Sequence, residues 1–184
     1  IYEKQGTDVT AKKARELAIE HKIPYSHCLA DEDGIGGAVV DTNRGFKGFI
    51  ANSSAFENLV TGEKENYVNL KSQCSYTLAE FVNDHKIAID IEPDEFVSEV
   101  PGLTYEVFKE MLIEELENVK SKNIGKDMKL RVRSKDEVKE DIGRSPDLSD
   151  TLMMRMWYEV SPKVGEKSMS SYTPQLREYK GSRF

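Results

Sequence analysis

The sequence predicts an α/β layer architecture, with helices packed on a mostly parallel or mixed sheet, and three observations carry that expectation. Short apolar runs of strand character alternate with segments whose apolar residues recur every three or four positions. One such run ends in acids and turns through glycines directly into a helical segment, within residues 26–42. No internal repeat or composition break divides the 184 residues, and a chain of that length forms one domain that buries roughly two-thirds of its unfolded surface.

The elements follow in order. Ile1 has the character of a strand interior, which suits a fragment of a longer protein. Ala11, Ala14, Leu17 and Ala18 make one apolar stripe, predicting a helix over 9–21 capped by Thr7 or Asp8 and closed by Pro24. Residues 26–30 read as a short buried strand running into Asp31, after which Gly34, Gly36 and Gly37 turn the chain into a short helix ending near Thr42. Residues 46–51 read as a second strand, followed by a polar loop through 53–65. Tyr67, Leu70, Cys74, Leu78 and Phe81 lie on one helical face, and 87–91 read as a strand. Tyr105, Phe108, Met111, Leu112, Leu116 and Val119 mark a helix with a charged outer face. Met128, Leu130 and Val132 alternate with Lys129, Arg131 and Arg133, the pattern of a half-buried strand. A last helix starts at Ser145 and Pro146, serine as cap and proline in the first turn, and runs apolar through Tyr158. The domain therefore spans 1–160, and 161–184 read as a flexible polar tail.

Composition narrows the function. A net charge of −7 and pI near 5.2 exclude a surface built throughout for gripping phosphates, so any nucleic-acid contact is local. Cys28 and Cys74 form no C-x-x-C pair, which excludes a zinc ribbon and fits a reducing cytoplasm. No run approaches the ~20 apolar residues of a membrane span, and no signal-peptide pattern is present.

Asp31, Glu32 and Asp33 stand at the carboxyl end of a predicted strand, the edge where open α/β sheets place ligands; a solvated acidic turn is the plain alternative. A dinucleotide fingerprint fails because Val39 stands where the third glycine belongs. A calcium loop fails because Ile35 and Thr42 stand where oxygen-rich and bidentate acidic ligands belong, and no Walker phosphate loop is present. Asp147 and Asp150, three residues apart, share one face at the positive end of the last helix. Acids there stabilise a helix in the ordinary way, yet together with a strand-end acid they offer the hard oxygens that magnesium or manganese takes in two-metal phosphodiester cleavage.

Four stretches in consistent order resemble one family: 31–41 (DEDGIGGAVVD), 48–53 (GFIANS), 69–74 (NLKSQC) and 143–150 (GRSPDLSD). They resemble the nuclease domain of viral (phage or prophage) terminase large subunits, over about residues 1–160. The resemblance implies a ribonuclease H-like mixed sheet flanked by helices, and a Mg2+- or Mn2+-dependent endonuclease that cuts concatemeric double-stranded viral DNA during packaging. It implies Asp31 as the strand-end metal ligand, Asp150 as the helix-borne ligand and Asp147 as a neighbour that also coordinates, with Glu32 and Asp33 as lesser candidates. It implies a portal and a small terminase subunit as partners, in the host cytoplasm. The family sets its first metal-binding aspartate on an opening strand upstream of the part resembling 1–3, and this chain lacks that strand and the motor ATPase region. A noncatalytic remnant or docking module, or a junction-resolving nuclease of the same fold, are the competing readings.

Lys129, Arg131, Arg133 and Lys135, on one side of a strand, and Lys71 on a helix are the candidates for DNA phosphates, against the plain reading of a solvated face. His21, His27 and His85 show no ligand spacing, and Trp157 with its neighbouring methionines reads as core.

Overall fold

A computed structural model describes residues 1, 5–33, 36–122 and 128–162; the tail expected over 161–184 lies outside the described residues from 163 onward. The described residues form α1 (Thr7–Glu20), β1 (Leu29–Asp31), α2 (Gly36–Thr42), β2 (Lys47–Phe49), α3 (Leu70–Asn83), α4 (Tyr105–Asn118), α5 (Lys135–Ile142), α6 (Asp147–Arg155) and α7 (Trp157–Val160). β1 and β2 pair in parallel, Leu29 opposite Lys47, Ala30 opposite Gly48 and Asp31 opposite Phe49, with α2 as the crossover between them.

Side chains alternate across a strand, and each face of this small sheet has its own apolar cluster. Leu29 and Phe49 face Leu70, Cys74, Leu78, Met153 and Met156 of the α3 and α6 layer. Ala30 and Phe46 face Ala11, Ala18 and Val39 of the α1 and α2 layer. The sheet is thus covered on both sides, as parallel strands require, and the expected α/β layering is what the chain adopts.

Several elements depart from the sequence expectation for identifiable reasons. α1 starts at Thr7, and the cap position falls to Gly6, with no side-chain cap, rather than to Thr7 or Asp8. The front of the strand expected at 26–30 is a 3-10 turn at Tyr25–His27, closed by a hydrogen bond from Cys28 N–H to the Tyr25 carbonyl at 3.1 Å. Residues 87–91 join no ladder among the described residues: Ile87 packs against the first cluster, while Ile89 and Ile91 line a groove with Phe108 and Leu112. At 128–132 only single bridges form, Tyr67 with Leu130 and Ser121 with Val132, and the left-handed backbone of Met128 (φ 57°) interrupts an extended run.

α5 takes the place of the end of that expected strand. Ser134 caps it, its hydroxyl accepting from Glu137 N–H while the Glu137 carboxylate accepts from Ser134 N–H, and Gly143 (φ 73°) ends it in the left-handed region. Lys135 is therefore a first-turn helix residue and not part of a strand face. The last helix is two pieces meeting at Met156, and Pro146, not Ser145, holds its cap position.

The α5 cap carries a pH signature. Hydrogen bonds from Lys122 first, then from the Ser134 backbone and hydroxyl, pull the Glu137 pKa from 4.5 down to about 2. A depressed carboxylate contributes stability that is complete above its unfolded value and is lost as pH falls through its folded one, so the cap persists through mild acid and opens near pH 2. An NMR titration of the Glu137 side chain is expected to give a midpoint near 2, rising toward the ordinary value in Lys122→Ala; a midpoint that ignores this substitution contradicts the assignment.

Candidate active site

Asp31 is the last residue of β1, and strand alternation sets it on the same face as Leu29 and Phe49, the face covered by α3 and α6. Its carboxylate accepts from Asp33 N–H at 3.1 Å, and the Asp33 carboxylate accepts from Ala51 N–H at 3.2 Å. Glu32 instead lies over Gly48. A β-carbon at position 48 would stand 1.7 Å from the Glu32 carboxylate oxygen, so only glycine leaves the acid this position.

The exit of β2 is stitched to the start of α3. Lys71 N–H donates to the Ala51 carbonyl at 3.0 Å, Leu70 N–H donates to the Ser53 carbonyl at 2.8 Å, and the Asn69 side chain caps Ser72 N–H at 2.9 Å. These bonds satisfy first-turn N–H groups that a helix leaves open. They also aim Lys71, whose ammonium meets Asp150 at 3.2 Å. A continuous path of contacts thus runs from Asp31 through Asp33, Ala51 and Lys71 to Asp150.

Asp150 is bound on both oxygens: Lys71 holds one, and Lys135 lies 3.1 Å from the other and 3.0 Å from Asp147. Burial acts to lower the Lys135 pKa, but hydrogen bonds and charge from Asp147 and Asp150 outweigh it and raise the pKa above its ordinary value. A small cavity of about 20 Å³ beside them, room for about one water centre, is lined by Lys71, Ser75, Arg133, Ser149 and Asp150 and by the apolar Val119, Val132, Val138, Pro146 and Met153. Asp147 and Asp150 therefore share one cation, the Lys135 ammonium, and their oxygens are of the kind magnesium and manganese prefer. Among the described residues, no three His, Cys, Asp or Glu side chains converge closely enough to hold a metal.

The remaining candidates fall in different places. Arg133 is tied to Asp141 at 2.6 Å and to the Glu137 carbonyl at 2.9 Å, so it braces α5. Lys129 and Arg131 lie on the segment beside Tyr67, outside any named strand. His27 stacks on Tyr158 with ring centroids 6.0 Å apart, and Trp157 packs edge-on against Phe56, as a core residue would. The sequence reading missed Glu115 of α4, which is 1% exposed and accepts from the N–H groups of Leu148 and Ser149 at 2.8 Å each. Its position between Leu112 and Leu116 on an amphipathic helix was the available signal.

No family model and no curated protein matches the chain. Solved structures do. The nuclease domain of the large terminase subunit gp2 of bacterial virus Sf6 is 28% identical with a TM-score of 0.57, over 79% of this chain and 70% of that one. A point variant of the same domain with manganese is 27% identical with a TM-score of 0.57, over 79% and 71%, and a variant with calcium is 28% identical with a TM-score of 0.57, over 79% and 70%. In described architecture as in its four sequence stretches, the chain is similar to the ribonuclease H-like nuclease domains of phage terminase large subunits.

Proposed function

We propose that the chain is the metal-dependent DNA endonuclease domain of a terminase large subunit, cutting concatemeric double-stranded viral DNA during genome packaging in the host cytoplasm. The observation that supports this reading is the path of contacts around the first turn of α3 that connects Asp31, by way of Asp33, Ala51 and Lys71, to Asp150. Asp31, Asp147 and Asp150 are the acids that would hold Mg2+ or Mn2+ in a two-metal site, once brought closer together than the described residues stand. A metal held there would supply Lewis-acid polarisation of the scissile phosphate and activation of a water.

The chain's own residues do the rest. Lys71 and Lys135, which stand beside Asp150, would offset the charge of a phosphate bound at these acids. Lys129 and Arg131 contribute a basic flank to the duplex, and Arg133 acts through α5. Portal and small-subunit partners belong to the same reading.

Nicking of supercoiled plasmid is expected with Mn2+ or Mg2+, to stop in chelator, and to be lost in Asp31→Ala; cleavage that survives both treatments overturns the mechanism. The absence of a converged acid triad among the described residues favours one rival, a noncatalytic docking module. Calorimetry with Mn2+ separates the two readings, because a docking module binds no metal at these acids.

A further inference from the structure

α6 presents Asp147 and Asp150, yet it has no cap of its own: Pro146 occupies the cap position, and no side chain there accepts from the helix. The acceptor arrives from α4. One Glu115 oxygen takes both the Leu148 and the Ser149 N–H at 2.8 Å, and the other meets the Arg144 guanidinium. Arg144 is itself fixed, donating to the Met111 carbonyl at 3.1 Å and to Glu114 at 2.7 Å. The two capped amides belong to the residues lying between Asp147 and Asp150 in sequence.

A buried carboxylate is costly unless fully paired, and a buried ion pair is a weak way to gain stability. Glu115 is 1% exposed, faces the positive end of α6 and receives a guanidinium besides the two amides, so moving α6 would break bonds that a buried carboxylate needs. Helical residues are spaced about 100° apart around the axis, so a slip of α6 by one residue would turn both aspartates away from Lys71 and Lys135. We propose that Glu115, held by Arg144, is a positioning residue that fixes the start and rotation of α6 and thereby the geometry of Asp147 and Asp150. Its consequence for metal binding rests on the nuclease reading above.

The test uses the full chain and two readouts. Glu115→Gln loses the charge and one acceptor at nearly constant volume, while Glu115→Asp keeps the charge on a shorter arm. Mn2+ affinity by calorimetry is expected to fall about 10- to 100-fold in Glu115→Gln, the range for groups that orient metal ligands, and by less in Glu115→Asp. Without metal, the carboxyl carbon shifts of Asp147 and Asp150 at neutral pH are expected to move in the same order. Should Glu115→Gln fail to fold, Glu115→Asp carries both comparisons. Folded variants that keep the parent's Mn2+ affinity within about twofold, with unmoved carboxyl shifts, overturn the proposal. A parent chain that binds no Mn2+ sinks the metal reading alone, and the carboxyl shifts still decide the positioning role.

Discussion

Asp150→Ala is expected to remove measurable Mn2+ binding and to lower DNA cleavage by on the order of 1000-fold, because a metal supplies several kcal/mol of transition-state stabilisation and each 1.36 kcal/mol is about tenfold in rate. Asp150 is the acid in which the site's contacts converge: both oxygens are occupied by cations, and its side chain is 20% exposed against 72% for Asp147. Stability is expected to fall by about 1–3 kcal/mol as well, since Lys71, whose side chain is 19% exposed, loses its carboxylate partner. A cooperative melting transition retained at a somewhat lower temperature, together with lost Mn2+ heat, separates the chemistry from folding. Equal Mn2+ binding in parent and variant contradicts the assignment.

Gly36→Ala has the largest expected effect on folding. A β-carbon there would stand 1.5 Å from the Asp31 carbonyl oxygen and 2.7 Å from its carbonyl carbon, both of them backbone atoms of β1 that no rotamer change can move. α2 would have to lift from the strand, opening the cluster of Ala11, Ala18, Val39 and Phe46. A cost of about 3 kcal/mol or more follows, at the upper end for overpacking, which lowers the melting temperature of a chain this size by roughly 6–12 °C. Asp31 moves with its own carbonyl, so metal binding falls as well. Thermal unfolding of Gly36→Ala checks this directly, and a variant that melts with the parent shows that the strand and helix are not in the contact described.

Periodicity made the helices legible, because each of the longer ones buries one stripe against a single layer; α1, α3 and α4 lie close to where their apolar spacing sets them. The strand-end acids were legible for a related reason: a strand that must turn through glycine into a helix leaves its last side chain at the sheet edge. The sheet was less so. A run such as 87–91 has the composition of a strand, but whether it forms one depends on a neighbour to accept its hydrogen bonds, which composition does not encode.

α5 was written in the sequence as Ser134-Lys135-Asp136-Glu137, a capping box, and was hidden by the alternating residues just before it. Lys135 consequently read as part of a basic strand face, when its helix carries it to Asp147 and Asp150. Glu115 was hidden differently. A single acid on an amphipathic helix reads as solvated unless the partner that buries it is known, and that partner starts a helix some thirty residues further on.

The two acids proposed to share a cation are anchored in different layers, one at the edge of the sheet and the other on the helical cover above it. The gap between them is therefore a mechanical coordinate, and the bonds from Leu70 and Lys71 to Ser53 and Ala51 act as its clamp. Under the nuclease reading, a load that shears the cover across the sheet is expected to widen that gap before it unfolds either layer.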